Sequence, residues 1–231
     1  MSELPILYRD DHYIVINKPP GMLVHRTDID KHETIFAVQT LRDQIGQNVY
    51  PVHRLDKPTS GCLIFALNSD SLAALKAKFE SREISKTYQA IVRGYAPDSG
   101  EIDHPLRKLL DGKGPNKSDE TQDAQTTFKT LARSEIPLPT GRFPTTRYSL
   151  VELLPKTGRR HQLRRHMVHI NHPIIGDTRH GDNTQNKLFR ERYGHLRLWL
   201  SATRIQFEHP ITQATIIIKA PLWPDFQKAQ K

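Results

Sequence analysis

Asp56 lies in the stretch His53-Arg54-Leu55-Asp56-Lys57-Pro58-Thr59-Ser60-Gly61, with cations on both sides at Arg54 and Lys57. A carboxylate near cations keeps its charge at neutral pH, which suits a nucleophile or a general base. Pro58 restricts the backbone just after it. A bare Arg-x-Asp is ordinarily a solvated turn, but the whole string is much less common than its parts. Two further stretches carry groups that can do chemistry. In Arg82 to Gly94, REISKTYQAIVRG, the tyrosine is Tyr88. Such a side chain is usually a core residue, and its phenolic oxygen can also transfer a proton. In Gly158 to Gly181, GRRHQLRRHMVHINHPIIGDTRHG, Arg164 offers a permanently charged, bidentate partner for a carboxylate.

Each group needs an element to hold it. Cys62 to Leu67 is an apolar run short enough for a buried strand, so Asp56 sits on a loop held by a core strand. Tyr88, Ala90 and Val92 share one face of a second strand, with Thr87, Gln89 and Ile91 on the other and Gly94 ending it. Leu163, Met167 and Ile170 fall on one face of a helix, which places Arg164 beside that stripe and near His161 and Val168.

The remaining chain reads as packing. Strands are expected at Ile6 to Tyr8 and Tyr13 to Asn17, turning at Asp10-Asp11, followed by a turn at Pro19-Pro20-Gly21. Asp30 with Glu33 resembles a capping box for a helix through Ile35, Val38, Leu41 and Ile45. Ser69 is expected to cap a second helix whose face is Leu72, Leu75 and Phe79. Gly100 to Leu106 reads as a short strand, and the stretch on to about Gln125 as a mobile loop, either inert or able to touch phosphates through its lysines. Thr126 to Ala132, Tyr148 to Leu154, Leu196 to Leu200 and Ala214 to Lys219 read as strands, and Asn183 to Tyr193 as a helix. Pro221-Leu222-Trp223-Pro224 closes the chain. The mixture predicts an α+β fold.

Lys and Arg number 34 against 25 Asp and Glu, a formal net charge of +9, and twelve His add donors on protonation. This balance favours a polyanionic partner, with nucleic acid ahead of a membrane surface. The one cysteine, Cys62, excludes a disulfide framework and a cysteine-based zinc cluster, and fits a reducing compartment. Met1 to Ile14 lacks the pattern of a signal peptide, and no run approaches transmembrane length, so a soluble cytoplasmic protein is expected. At 231 residues the chain suits one compact catalytic domain. His166, His169 and His172 with Asp177 have the composition of a metal site. Asn171-His172-Pro173 should break the helix before the third histidine faces the first two, so packing and phosphate contact are the expected roles.

Three strings, in order, resemble one family. His53 to Gly61 is similar to the HRLDxxTSG motif of the RluA-type pseudouridine synthases, SKTYQAIVRG to their KxYxAxVxG, and Gly158 to Gly181 to their GRTHQxRxHMxxxGHPIxGDxxYG. Weaker matches are Asn17 to Met22 with NKPxG and Leu198 to Ala202 with LxLHA. The resemblance implies the pseudouridine synthase fold: α+β, with a long mixed, mostly antiparallel sheet, flanking helices and a central catalytic cleft. It also implies one catalytic domain over residues 1–231, with no room before Asn17 for an N-terminal S4 domain. The implied reaction isomerises uridine to pseudouridine in RNA with no cofactor and no metal. Carried over by residue, Asp56 is the catalytic residue, Arg164 salt-bridges it, and Tyr88 lies against the target base. His53, Arg54, Lys86, His161 and Leu200 are the substrate contacts, with Arg54 entering the space the base vacates and Leu200 walling the uracil. Arg160, Asn171, His180 and Ser201 depart from the family pattern at positions that bear on RNA contacts, and none removes a proposed catalytic group. NKPPGMLVHR and VHRLDKPTSG look most like members that act on uridine-65 in the T arm of tRNA. An rRNA-directed synthase is the alternative, followed by a non-catalytic RNA-binding protein and a histidine-liganded metallohydrolase. The expected protein is a monomer with an RNA substrate, no membrane association and no obligate protein partner.

Overall fold

The structure is a computed structural model, described over residues 3–25, 34–109, 117–141, 143–194 and 197–229. In chain order its elements are β1 (Ile6–Arg9), β2 (Tyr13–Lys18), α1 (Ala37–Ile45), β3 (Tyr50–Pro51), β4 (Ser60–Ala66), α2 (Ser69–Glu80), β5 (Ser85–Arg93) and β6 (Ser99–Asp103). There follow β7 (Leu106–Leu109), β8 (Lys117–Gln122), β9 (Gln125–Ile136), β10 (Thr146–Pro155), α3 (Gln162–His169), α4 (Asn183–Tyr193), β11 (Leu200–Glu208), β12 (Thr215–Lys219) and α5 (Pro224–Ala229). Two compact units result: Met1–Lys86 with Ala202–Leu222, and Thr87–Ser201 with Trp223–Lys231.

In the first unit β2 and β4 are buried along their whole length, because both are apolar on both faces. They pair antiparallel with Tyr13 opposite Ala66 and Lys18 opposite Gly61. β1 lies outside β2, β11 lies on the other side of β4, and β12 follows on β11. The core gathers Tyr13, Val15, Cys62, Ile64, Ile205 and Phe207, onto which α2 lays Leu75, Leu72 and Phe79. Each fully buried aliphatic side chain there contributes roughly 1.5–3 kcal/mol.

Gly61, the second residue of β4, shows why the motif that carries Asp56 ends in glycine. Its φ is +109°, and a Cβ would stand 2.1 Å from the Ala202 carbonyl oxygen. The motif that carries Asp56 thus closes on a point where two backbones meet.

In the second unit the strand order is β5-β10-β9-β6. β5 and β10 are antiparallel with Tyr88 opposite Leu153. Ala90, Val92, Val151 and Leu153 take up Leu163 and Met167 of α3, and Tyr88 packs against the same cluster. The segment 173–177 is laced to β5 through Arg93 N–H to the Pro173 carbonyl (3.0 Å) and Ile175 N–H to the Ile91 carbonyl (2.9 Å). Trp199 is fully buried and meets Phe189 of α4 and Phe226 of α5 edge-on, with centroids 5.3 and 5.5 Å away.

The α+β class, both strands of the first hairpin, and α4 to the residue agree with the sequence reading. Four expectations are corrected. The cap of α2 is Asn68, whose side chain accepts from Ser71 N–H, while Ser69 is already helical. Within the stretch expected to be a loop, β7 (Leu106–Leu109) and β8 (Lys117–Gln122) pair antiparallel, with Leu106 opposite Gln122. Polar strands of this kind pair through backbone and leave no apolar alternation to read. β11 starts at Leu200, since Arg197 to Trp199 are all buried and Arg197 binds Asp225 at 2.8 and 2.9 Å instead of facing solvent. The chain end forms α5, too short for a periodic signal. The Asp30–Glu33 capping box lies outside the described residues; α1 begins at Ala37 behind Phe36, which makes no side-chain cap bond, and Ile35 before it is 46% exposed.

Gly61→Ala should lower stability by about 2–4 kcal/mol, read as a fall in the thermal midpoint, because strain at positive φ adds to a backbone clash. An unchanged midpoint would show that β4 and β11 separate without cost.

Candidate active site

Asp56 sits half-buried in the loop between β3 and β4. The loop is held by a lysine the sequence reading left without a role. Lys18 ends β2 fully buried, and its ammonium donates to the carbonyls of Pro19 (2.8 Å), Met22 (2.9 Å) and Lys57 (3.1 Å). Gly21 N–H also donates to the Lys57 carbonyl at 2.9 Å, and Thr59 N–H to that of Asp56 at 2.9 Å. The Pro19-Pro20-Gly21 turn and the Asp56 loop are therefore locked by backbone contacts on one buried cation. Burying an ammonium is costly unless its donors are met, which three carbonyls do here. The available signal was a charged residue closing an otherwise apolar strand.

His53 and Lys86 come together on Phe79. The His53 ring stacks on Phe79 with centroids 4.9 Å apart, and the Lys86 ammonium stands 5.8 Å from the centre of the same ring. His53 Nε2 accepts from Ile64 N–H at 3.1 Å, so a neutral His53 carries its proton on Nδ1. Burial, reinforced by the charge of Lys86, pushes the His53 pKa down to about 3. Burial also lowers that of Lys86. Arg54 is exposed.

Arg164 is placed from the second unit's core. Gln162, the first residue of α3, accepts from Thr157 Oγ1–H (2.7 Å) and Arg159 N–H (3.0 Å), and donates to the Gln125 carbonyl and Thr126 Oγ1. His166, fully buried one turn on, contacts Thr126 Oγ1 at 3.0 Å and the His104 carbonyl at 3.1 Å. These bonds fix the rotation of the helix about its axis. The Arg164 Nε then donates to Asp177 Oδ2 at 2.7 Å and Nη2 to Oδ1 at 2.8 Å, with the two side chains 6% and 1% exposed.

Sequence reasoning weighed Asp177 only as a metal ligand. Its Oδ1 also accepts from the N–H groups of Arg179 and His180, each at 2.9 Å. Burial alone would raise its pKa, but Arg164 and the two amides outweigh burial and hold the carboxyl below its ordinary value. Gly176, at φ +79°, lets the chain pass Arg197, since a Cβ there would lie 1.6 Å from the Arg197 carbonyl oxygen. Asn186 of α4 completes the cradle, accepting from Gly176 N–H at 2.6 Å and donating to the Asp177 carbonyl at 3.0 Å.

Tyr88 and Leu200 share one apolar cluster, Tyr88 partly buried and Leu200 at 3% exposure. His161 caps α3 in the left-handed region and its Nδ1 lies 2.9 Å from His180 Nε2. Burial, with Arg164, Arg179 and Arg165, pushes the His180 pKa down to about 4 against the pull of Asp177. As expected, α3 stops at His169 and Asn171 turns to φ +63° before His172. His166, His169 and His172 have separate partners, His169 stacking on His104 and His172 bonding to the Arg93 carbonyl. Among the described residues no group of three or more His, Cys, Asp or Glu is arranged to hold a metal ion.

The family model for RNA pseudouridylate synthase matches residues 12–169, which include Asp56, Tyr88 and Arg164. The chain belongs to the RNA pseudouridylate synthase family. It is 54% identical over 220 residues to the tRNA pseudouridine synthase C of Vibrio vulnificus (strain CMCP6), covering 94% of this chain and 90% of that one. With the Haemophilus ducreyi protein of the same name (strain 35000HP / ATCC 700724) it shares 54% identity over 227 residues, 97% of this chain and 93% of the relative. Among solved structures, Human RNA Pseudouridylate Synthase Domain Containing 1 superposes with a TM-score of 0.74 at 25% identity, covering 95% of this chain and 84% of that one. Domain Containing 4 gives 0.72 at 26%, covering 96% and 90%. The α+β fold implied by the motifs is thus that of the family. Among the described residues no helix is long and apolar enough to cross a membrane.

Asp177→Asn should cost about 3–5 kcal/mol, since it removes the negative charge of the carboxylate that the buried Arg164 guanidinium grips with two hydrogen bonds. Equal denaturation midpoints for variant and wild type would refute that dependence.

Acid should act through the histidines. His180 and His53 have folded values of about 4 and about 3, below the ordinary 6.5, so the unfolded chain takes up these protons first as pH falls. Their contribution is full above about 6.5 and is lost as pH falls from there towards those folded values. The thermal midpoint should therefore drop on acidification over this window, and drop less steeply in His180→Phe; an identical pH profile for the variant would contradict the assignment.

Proposed function

We propose that this protein isomerises uridine to pseudouridine in tRNA, at uridine-65 of the T arm, with Asp56 as the catalytic carboxylate. The observation that carries the reading is the HRLDKPTSG loop fixed by the buried Lys18. The chain is also about half identical, over nearly its whole length, to proteins named tRNA pseudouridine synthase C.

The target base must leave the RNA stack at a cost of a few kcal/mol, which contacts in the pocket return. Arg54, exposed and cationic, enters the vacated space. The N1–C1′ bond breaks, the uracil turns, and a bond forms from C1′ to C5; C5 gives up a proton and N1 gains one. Substrate and product are isomers, so the reaction consumes no redox carrier or co-substrate. Three routes use the same carboxylate: attack on C1′, attack on C6, or removal of a ribose proton. Arg164 is the ionic partner that keeps Asp56 charged and aimed. Tyr88 stacks on the base and takes the C5 proton, while Leu200 bounds the uracil and His53, Lys86 and His161 contact the RNA. The reading includes a cytoplasmic monomer that needs no obligate protein partner.

Asp56→Asn should keep RNA binding and lose turnover by at least about 10²-fold. Carbodiimide mapping of pseudouridine in total tRNA and rRNA, from cells with and without the protein, checks reaction and target together. Loss of a T-arm site, restored by wild type and not by Asp56→Asn, is the expected result. A lost rRNA site would replace the substrate and keep the chemistry, and restoration by Asp56→Asn would remove the carboxylate from its role.

A further inference from the structure

Arg164 and Arg165 are neighbours on α3 with opposite surroundings. Arg164 is buried on Asp177, whereas the Arg165 guanidinium makes no hydrogen bond and meets no carboxylate among the described residues. It is also partly buried, and that burial disfavours its charge. A cation that has given up part of its hydration without gaining a counter-ion is destabilised where it stands, and an external anion relieves it.

The face that carries Arg165 is lined with hydrogen-bond donors along its length. His161, Arg165 and His169 recur every fourth residue and so lie in a row, spanning about 12 Å at 1.5 Å per residue. His180 joins the row at its start through the 2.9 Å contact to His161. His104, from the link between β6 and β7, joins it at its end, where its ring lies on His169 with centroids 3.7 Å apart and planes 14° from parallel. The ring nitrogens of His104 and His169 make no hydrogen bonds among the described residues, leaving donors available to a ligand. The charge of Arg165 reaches His104, His166 and His180. Burial, His169 and Arg165 together lower the pKa of His104, with no carboxylate opposing them.

Two features argue for a phosphodiester strand over a single small anion. The row sets hydrogen-bond donors at successive turns of one helix around the Arg165 cation, which suits contacts repeated along a backbone. The stacked imidazoles are flat and carry donors at their rims, so they can meet phosphate oxygens and sugar hydroxyls with no demand on base identity.

Resting on the RNA reading above, we propose that Arg165 with the stacked His104–His169 pair forms a site for the RNA sugar-phosphate backbone, separate in role from the residues that act on the base. The site contributes affinity and register without reading sequence.

The test is binding of the full chain to its tRNA by fluorescence anisotropy across a series of salt concentrations, for wild type, Arg165→Gln, His169→Gln and Arg42→Gln. Arg42 supplies the charge control, being an exposed arginine of α1 paired with the adjacent Asp43. Arg165→Gln should weaken binding by about 10-fold and flatten the slope of log affinity against log salt by about 0.7–0.9, the release due to one phosphate contact. His169→Gln should weaken binding less, and Arg42→Gln should leave the slope as in wild type. Melting curves confirm folding of each variant. If Arg165→Gln keeps the wild-type slope, or shifts no more than Arg42→Gln, the site is wrong while the RNA reading stands; wild type that binds no tRNA would remove that reading and this site with it.

Discussion

The second unit depends on a buried charge pair. Arg164 and Asp177 are both almost wholly shielded from water, and two ions in that setting cost several kcal/mol each before their attraction is counted. The surroundings are built to recover that cost. Two backbone amides complete the Asp177 carboxylate, and both ends of the Asn186 amide hold the strand that carries it. Gly176 and Gly181 exist because the chain passes too close to the Arg197 and Asp177 carbonyls for a side chain. The string IIGDTRHG is therefore one object, a carboxylate in a backbone cradle, and its residue types follow from the guanidinium it receives.

The first unit solves the reverse problem. There a buried cation, Lys18, faces neutral carbonyls, three of them from the turn that follows it and from the Asp56 loop. Carbonyl oxygens accept from the ammonium, so Lys18 ties the turn that follows it to the Asp56 loop through backbone atoms. Geometry around Asp56 is thus set by backbone atoms, which hold position better than long side chains do.

Much of this was legible in the sequence, for uneven reasons. β2 and β4 show as apolar runs because they are buried, β5 shows through its alternation, and α4, expected at Asn183 to Tyr193, is bounded in the structure by the Asp182 cap and Gly194. β8 was missed because its pairing to β7 lies in backbone hydrogen bonds that polar side chains do not reveal. Leu196 to Leu200 misled because the arginine in its alternation is buried on Asp225, so polar did not mean solvent-facing. In the site, the reacting groups stood out by type and spacing. Their supports stood out less: Lys18 showed only as a charge closing an apolar strand, and its bond to the Lys57 carbonyl lies 39 residues away, while Asp177 reads locally as a turn aspartate until α3 brings Arg164 onto it.

Helix α3 shows how a short element serves two purposes at once. Its inner residues, Leu163, Arg164, His166 and Met167, are all buried and committed to the core and to Asp177. Its other face carries His161, Arg165 and His169, and no carboxylate meets the Arg165 guanidinium among the described residues. The inner bonds make the outer row rigid, because Gln162 and His166 fix the helix against β9 through Thr126. A donor row on a mobile helix would lose much of its binding energy in ordering side chains and backbone; on a helix pinned by buried hydrogen bonds, that ordering has been completed on folding. The same pinning that sets the angle of Arg164 therefore also sets the outward row, and a polyanion bound there is held in register with the buried guanidinium one residue away.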